Sequence, residues 1–297
     1  METNFKVDMP SFALGYSAGK KKGGDSSVLN SLIEGTLTEL ESNATSIGKN
    51  AFSENQSLVS VSFPNATSIG SSAFCCATSL TSANFPNATI IGSSAFKGSQ
   101  KLTNVNFPNV TSIESNALYG CAITSANFPN VTSIGEQAFD YCSKLTSVNL
   151  PNIKKIPNYA FRNCGFTTVE FPNVTALEVH ALYQCIDMQS VYFTQHLTIG
   201  MYSFNNCYSL TGVVLRSDSI CSLSSNRAFN TCYHIQGTTN GTYNPNGDKD
   251  GYIYVPSALV ESYKSATNWS FFADRFRALE DYTVDGTITG ELDPDKI

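Results

Sequence analysis

The sequence predicts an α/β repeat solenoid, in which each coil of 21–22 residues contributes one short strand and one turn or short helix. One residue pattern recurs along most of the chain, and apolar residues alternate with small polar ones in part of it. Hydrophobic residues make up 41% of the chain and charged residues only 14%, well below the usual charged share of about 25%. These features favour a stacked array of about nine coils over two ordinary globular domains.

The repeat is clearest in three segments: FPNATSIGSSAFCCATSLTSAN from residue 63, FPNATIIGSSAFKGSQKLTNVN from residue 85 and FPNVTSIGEQAFDYCSKLTSVN from residue 128. The opening aromatic residue or Leu recurs at intervals of 22, 22, 21, 22, 21, 22 and 22 residues. These positions are Phe63, Phe85, Phe107, Phe128, Leu150, Phe171, Phe193 and Leu215. One repeat cannot bury its own apolar face, so successive coils must stack on one another.

The strand of each coil lies just before the opening residue of the next repeat. Ala83 and Phe85 alternate with Ser82 and Asn84. This period of two predicts a strand with one face in the core and the other in solvent.

The second half of each coil is predicted to turn. Gly92 is expected to supply a backbone conformation that a bulky residue resists. Ser93 or Ser94 is expected to start a short helical turn that points Phe96 inward. An Asn column, represented by Asn65, is expected to support the turn after each strand by bonding its own backbone.

Composition shifts divide the chain into five segments. They are a flexible lead-in at 1–24, an N-terminal cap at 25–40, the solenoid at 41–254, a C-terminal helical cap at 255–279 and an acidic tail at 280–297. In the C-terminal cap, Ser257 is expected to start a helix after a final strand, and Trp269 is expected to seal the last coil, because an open solenoid end needs an apolar lid.

The repeat pattern FPN-x-TSIG-x-x-AF-x-x-C-x-x-LTSVN resembles the BspA-like leucine-rich repeat family over residues 37–255. The resemblance implies a leucine-rich-repeat solenoid and a surface or secreted protein that acts in adhesion. Similar chains also occur among virion proteins of bacterial viruses. The Gly column is replaced at Glu114, Pro157 and Glu178, so the turn is expected to differ there.

Charge and hydropathy exclude two classes of partner. The net charge of −6 leaves no general basic surface for nucleic acid. No apolar run is long enough for membrane insertion. The N-terminus lacks the pattern of a secretory signal, so we expect an intracellular chain, one whose signal was removed, or one that leaves the cell by another route, such as on a virion.

Nine Cys are present, and six occupy one repeat position: Cys121, Cys142, Cys164, Cys185, Cys207 and Cys232. One thiol per coil does not make the paired spacing of a zinc site, so we expect a ladder of buried, reduced thiols. The state of Cys75 and Cys76 is left open.

Little in the sequence indicates chemistry, so neither an enzyme nor a cofactor is predicted. Asn246, Asp248 and Asp250 match half of a calcium loop, but Ser257 stands where a bidentate Glu is required. A hairpin turn explains the same residues. A hydrolase using Ser17, in a G-x-S-x-G match, is a third and weaker hypothesis.

The outward strand positions change identity along the chain. One column is small and polar at first and then varied: Ser62, Asn84, Asn106, Asn127, Asn149, Glu170, Tyr192 and Val214. Tyr and His concentrate in the later coils and offer flat contact area with a polar group. The candidate ligand-binding residues are Glu170, Tyr192, Tyr183, His180, Tyr202 and His196. Drift of terminal repeats from the consensus explains the same change equally well.

Together, the resemblance and this surface predict a non-enzymatic binding or adhesion module at the cell surface, outside the cell or on a virion. Its partner is expected to be a host or cell-surface protein or a glycan, which a monomer binds through the sheet face at the C-terminal coils. The alternative is a structural spacer or a phage tail-associated virion component with no ligand of its own.

Overall fold

The computed structural model of the protein describes residues 5–7, 37–236, 251–284 and 287–288. The chain forms two compact units, residues 1–152 and 153–297. Each unit is a parallel β-solenoid in which every coil carries a main strand of three or four residues and most coils also carry a short strand of two. The main strands mark about ten coils with a period of about 22 residues, one more than predicted. Most of the predicted lead-in, N-terminal cap and acidic tail lies outside the described residues.

Two parallel ladders run through the first unit. Its strands are β1 (Phe5–Val7), β2 (Glu39–Ser42), β3 (Ser60–Ser62), β4 (Ser68–Ile69), β5 (Ser82–Asn84), β6 (Ile90–Ile91), β7 (Asn104–Asn106), β8 (Ser112–Ile113), β9 (Ser125–Asn127), β10 (Ser133–Ile134) and β11 (Ser147–Asn149). The main strands pair in the order β1-β2-β3-β5-β7, with β9 and β11 as a separate pair, and the short strands pair as β4-β6-β8-β10.

The second unit repeats this plan and adds short helices. Its elements are β12 (Lys155–Ile156), β13 (Thr168–Phe171), β14 (Ala176–Leu177), β15 (Ser190–Phe193), β16 (Thr198–Ile199), β17 (Gly212–Leu215), β18 (Ser222–Leu223), α1 (Tyr233–Gln236), β19 (Tyr252–Val255), α2 (Val260–Ser265), β20 (Phe276–Ala278), β21 (Thr283–Val284) and β22 (Thr287–Ile288). Main strands pair as β13-β15-β17-β19-β20 and short strands as β12-β14-β16-β18. Short 3₁₀ helices lie at Asn226–Phe229, Ser257–Leu259, Ser270–Arg275 and Leu279–Tyr282.

The helical turn predicted after Gly92 is wrong, and a third ladder of backbone hydrogen bonds replaces it. The N–H groups of Ser94, Phe96 and Gly98 donate to carbonyls of the next coil at 2.8–2.9 Å. The N–H of Ala95 between them bonds back to Gly92 within its own coil. Ser94 and Gly98 have left-handed φ values of 57° and 73°, so left-handed residues recur four positions apart in this segment. The fold is therefore a β-solenoid with turns instead of a helix in most coils.

The Gly column serves close approach of the coils rather than an unusual backbone angle. A Cβ at Gly92 would lie 2.7 Å from the carbonyl oxygen of Ile69 in the preceding coil. Where Glu114 replaces Gly, its carboxylate accepts hydrogen bonds from the backbone N–H and the hydroxyl of Ser93 at 2.8 and 2.7 Å. At Glu178 the carboxylate likewise reaches back to the N–H of Asn158 at 3.2 Å.

Inward aromatic side chains form the core of each unit, as the repeat predicts. In the first unit, Phe74 and Phe96 stack at 5.2 Å and Phe63 and Phe85 at 5.2 Å between ring centroids. All four side chains are fully buried. The same stacking recurs in the second unit, where the centroids of Phe204 and its neighbour one coil later lie 5.1 Å apart.

The described C-terminal residues combine short helices, which begin at Ser257, with a strand. Strand β19 is followed by the six-residue helix α2 and then by a further main strand, β20, which pairs with β19. Trp269 is 1% exposed, donates its indole N–H to the carbonyl of Cys221 at 2.6 Å and contacts Phe229 and Phe276. It therefore covers the apolar end of the last coil.

Candidate binding surfaces

The outward sheet face of the first unit is occupied by hydrogen bonds among its own side chains. The amide of Asn106 donates to Asn84 at 2.7 Å, and that of Asn84 donates to Ser62 at 3.0 Å. The amide of Asn149 donates to Asn127 at 2.8 Å. Each of these bonds uses an amide group that would otherwise be offered to a ligand.

The same column changes character in the second unit. Parallel register places Glu170, Tyr192, Val214, Tyr254 and Arg277 side by side on consecutive main strands. Glu170 is exposed and Tyr192 is half-buried. Val214 and Tyr254 are only 0% and 2% exposed. Val214, counted as an outward position in the sequence, is therefore not available for contact.

Two guanidinium groups lie over tyrosine rings on this face. The guanidinium carbon of Arg277 lies 4.0 Å from the ring centroid of Tyr252, and that of Arg216 lies 5.9 Å from the ring of Tyr192. Arg277 also donates to two backbone carbonyls at 2.9 and 3.1 Å, which fixes its position. We call Glu170, Tyr192, Arg216, Tyr252 and Arg277 the C-terminal sheet face.

Sequence reasoning missed Arg216, Tyr252 and Arg277. Tyr252 and Arg277 lie beyond residues 237–250, which interrupt the repeat before β19, so the period cannot be counted as far as these two residues. The resemblance of the segment YIYV at 252–255 to GVVL at 212–215 was the available signal, and these two segments are paired strands.

Three of the predicted site residues lie elsewhere, on the turn segments that connect the strands. The rings of Tyr159, His180 and Tyr202 stack in that order, with centroid distances of 4.6 and 5.2 Å. Tyr183 meets the His180 ring edge-on at 5.1 Å. We call these four residues the turn-side stack; the prediction did not include Tyr159.

Polar contacts hold the turn-side stack at its rim. Arg227 donates to the Tyr202 hydroxyl at 3.1 Å, and Asn206 donates to the Tyr183 hydroxyl at 3.2 Å. The Nδ1 atom of His180 is buried and has no hydrogen-bond partner among the described residues. Burial, together with the positive charge of Arg162, lowers the pKa of His180 below its usual value.

His196 belongs to neither group. It is exposed in the loop between β15 and β16, where its Nδ1 lies 3.0 Å from the hydroxyl of Ser219. The six predicted ligand residues therefore occupy three separate places. Glu170 and Tyr192 share the sheet face, His180, Tyr183 and Tyr202 share the turn-side stack, and His196 is alone in a loop.

The cysteine column is buried, as predicted. All nine cysteines are free thiols, and seven of them are buried. The Cys142 thiol donates to the carbonyl of Leu118 at 3.1 Å, and the Cys121 thiol donates to the carbonyl of Phe96 at 3.2 Å. Ser99 takes the same position one coil earlier and donates to Phe74 at 2.8 Å. Burial raises the pKa of the Cys142 thiol to about 12.

No metal centre is formed within the described residues, where no group of three or more His, Cys, Asp or Glu side chains is arranged to hold an ion. The half calcium loop of Asn246, Asp248 and Asp250 lies outside those residues. No helix among the described segments has the length and apolar character that a membrane crossing requires.

Solved structures with a similar fold are bacterial leucine-rich repeat proteins. A leucine-rich repeat protein from T. pallidum is 23% identical, with 58% of this chain and 83% of that chain covered and a TM-score of 0.50. One from Bacteroides ovatus is 18% identical, with 84% and 92% covered and a TM-score of 0.49. A leucine rich cell surface protein from Faecalibacterium prausnitzii is 20% identical, with 82% and 78% covered and a TM-score of 0.38. No curated protein sequence is significantly similar.

The family itself is shown by the repeat sequence. A family model of the BspA type leucine rich repeat region, in six copies, matches residues 31–146 and 132–241, which is more than half of the chain. This match confirms the family resemblance noted from the FPN and AF motifs. The chain belongs to the BspA-type leucine-rich repeat family.

Proposed function

We propose that the protein is a non-enzymatic binding module that recognises a protein or a glycan through the C-terminal sheet face. The observation that carries the proposal is the change along the sheet from self-bonded Asn side chains to tyrosine rings and guanidinium groups. The family is a repeat scaffold, and such scaffolds bind their ligands on the surface of the sheet.

The chemistry of this face suits a partner with both flat and anionic groups. Tyr192 and Tyr252 provide ring area with a polar edge, which is favourable for sugars and for protein side chains. Arg216 and Arg277 outnumber the single carboxylate of Glu170, so the face is locally positive on a chain of net charge −6. A guanidinium held against a ring keeps its N–H donors directed sideways, where they can reach a carboxylate or sulfate.

The place of action is part of the same proposal. Membership of the BspA-type family favours a protein of the cell surface or the extracellular space, or one carried on a virion. A single chain is sufficient for this binding mode, because all five residues of the face come from one unit.

Ligand capture on arrays of host-surface glycans and extracellular proteins tests the proposal. The Tyr192→Ala, Arg216→Ala double variant is expected to lose at least about tenfold in affinity, as the loss of interface anchors usually causes. Asn104→Ala is the matched control, because Asn104 is an exposed main-strand residue of the first unit. Capture that is equal in the double variant and the wild type would contradict the proposal.

A structural spacer or virion component with no ligand of its own is the second candidate. The self-bonded Asn ladder of the first unit favours it, because that face leaves few free groups for a partner. Absence of capture on every array by a folded protein supports this alternative.

A further inference from the structure

Two adjacent thiols in the first unit form a feature that ligand binding at the sheet face does not use. The Sγ atoms of Cys75 and Cys76 lie 3.6 Å apart. Cys76 is exposed and Cys75 is half-buried, whereas the other seven cysteines are buried. Among the described residues, these two thiols are therefore the ones that a reagent in solution can reach.

The backbone on both sides of the pair is held in place. Cys76 has a left-handed φ of 56°, and its N–H donates to the carbonyl of Lys97 at 2.7 Å. The carbonyl of Cys75 accepts from the N–H of Glu54 at 2.6 Å and from the hydroxyl of Ser53 at 3.4 Å. Contacts to both neighbouring coils thus fix the two Cα–Cβ bonds, and a ligand that binds both sulfurs meets a preorganised pair.

The neighbouring coil leaves one side of the pair uncovered. Gly98 occupies the position in the next coil that corresponds to Cys76, and a Cβ there would lie 3.3 Å from the Cys76 sulfur. Because Gly98 has no side chain, it does not shield the Cys76 sulfur from solvent.

A direct disulfide suits this geometry poorly. Adjacent Cα atoms are about 3.8 Å apart across a trans peptide, whereas disulfides need about 4.4–6.8 Å. If a third atom were bonded to both sulfurs at about 2.3 Å, the usual zinc–sulfur length, the sulfur–atom–sulfur angle at that atom would be roughly 100°. That angle fits a pyramidal or tetrahedral centre.

We propose that Cys75 and Cys76 form a bidentate dithiol site for a soft, thiophilic centre that needs only two protein ligands, the class of trivalent organoarsenicals. A metal that demands three or four protein ligands does not fit, since no third His, Cys, Asp or Glu completes a cluster among the described residues. In the binding step, an arsenic oxide R–As=O condenses with the two thiols. Two As–S bonds form, the As=O bond breaks, and both thiol protons leave with the oxygen as one water molecule, with no change of oxidation state.

Phenylarsine oxide tests the site on the intact, pre-reduced protein, with intact-mass spectrometry as the readout. We expect one phenylarsenic group per chain, resistant to excess 2-mercaptoethanol and removed by 1,2-ethanedithiol, because a chelate resists a monothiol but not a dithiol. Cys75→Ser and Cys76→Ser should each reduce the adduct that survives 2-mercaptoethanol from one group per chain to none.

Cys121→Ser is the matched control and should keep the adduct. The position of Cys121 is held by a buried Ser99 in the preceding coil, so a hydroxyl is accommodated there. Unchanged thermal unfolding of each variant separates loss of the site from loss of the fold. No adduct on the wild type, an adduct that 2-mercaptoethanol removes, or an adduct that persists in either Cys variant would overturn the proposal.

Discussion

Bulky side chains occupy left-handed backbone positions in the turn-side stack. Tyr159, His180 and Tyr202 have φ values of 57°, 59° and 60°. For an L-residue this conformation costs about 1–2 kcal/mol, and each aromatic pair contributes about 0.5–1.5 kcal/mol in return. The stack of rings from successive coils therefore offsets the strain that its own backbone creates.

The strain itself is measurable where no stack offsets it. Ser94 also has a left-handed φ of 57°, so Ser94→Gly should raise the free energy of unfolding by up to about 1 kcal/mol, since Gly enters this region freely. Ser82→Gly, in the extended strand β5, is the matched control and should lower it by about 0.5–1 kcal/mol. Urea unfolding measures both, and a loss of stability in Ser94→Gly would refute the explanation.

His180 makes stability depend on pH. Because burial and Arg162 lower its folded pKa below the unfolded value, protonation favours the unfolded chain. The stabilisation is complete above about pH 6.5 and is lost as the pH falls below that value through the folded pKa. His180→Phe keeps a ring in the stack without a titrating group and should flatten the stability curve between pH 6.5 and the folded pKa. The urea unfolding midpoints of the wild type and the variant are measured across this pH range. An equal change of midpoint with pH in the two proteins would contradict the prediction.

At the scale of elements, period and polarity predict what lies inside the coil but not how neighbouring coils bond. The alternation around Ala83 correctly predicts a strand with a buried face. The short helical turn expected after Gly92 does not form, because every second backbone N–H of this segment donates to the next coil instead of pairing locally. The Asn column behaves in the same way: the amide of Asn87 donates to the carbonyl of Pro64 in the preceding coil at 2.7 Å, not to its own turn.

A single missing residue explains a break in the main-strand ladder. The interval from Phe107 to Phe128 is 21 residues. Three residues separate Gly120 from Thr124 before β9, where four separate Gly98 from Thr103 in the preceding coil. In the described pairings, β7 ends one sheet while β9 pairs only with β11, although the short strands β8 and β10 remain paired. The interval was visible in the sequence, but its consequence for pairing was not.

The cysteine column is an element whose burial can be tested directly. Cys142 and Cys185 are 0% exposed and donate to carbonyls of the preceding coil at 3.1 Å. A thiol probe should therefore label at most Cys75 and Cys76 in the native protein, and all nine cysteines after denaturation. Mass spectrometry of the labelled protein identifies the sites, and rapid native labelling of Cys142 would show that the column is open.

For the whole molecule, the sequence predicts family and core far better than the binding surface. The inward positions repeat in nine or ten coils, so the same pattern is seen many times and its burial can be predicted from the sequence. Outward positions in the second unit do not repeat, and their neighbours are set by strand register. Glu170 and Tyr192 are adjacent strand partners, as the period predicts, but His180 and Tyr202 stack on a different segment of the coil.

The C-terminal sheet face also tests strand register. Tyr192 is half-buried and faces outward between Val191 and Phe193, both of which are fully buried. Tyr192→Ala should therefore change the free energy of unfolding by no more than about 0.5 kcal/mol, whereas Phe193→Ala should cost about 3–5 kcal/mol. Chemical denaturation distinguishes the two variants. A large loss in Tyr192→Ala would mean that the register is shifted by one residue.

Two compact units, each with its own aromatic core, should unfold as distinguishable blocks, because every coil contacts mainly its neighbours. Phe139 is fully buried in the first unit, so Phe139→Ala should remove about 3–5 kcal/mol there through lost burial and a cavity. Trp269 is the single tryptophan and is buried in the second unit. Its fluorescence therefore reports the second unit, while circular dichroism reports the whole chain.

In Phe139→Ala, the circular dichroism transition should acquire an early phase while the Trp269 fluorescence midpoint stays in place. Phe204→Ala is the matched variant in the second unit, where Phe204 stacks on Phe229 and Phe229 in turn lies 6.2 Å from Trp269. This variant should move the fluorescence midpoint to lower denaturant. If both variants shift both signals together, the two units unfold as one cooperative block, and a nearest-neighbour description of this array is wrong.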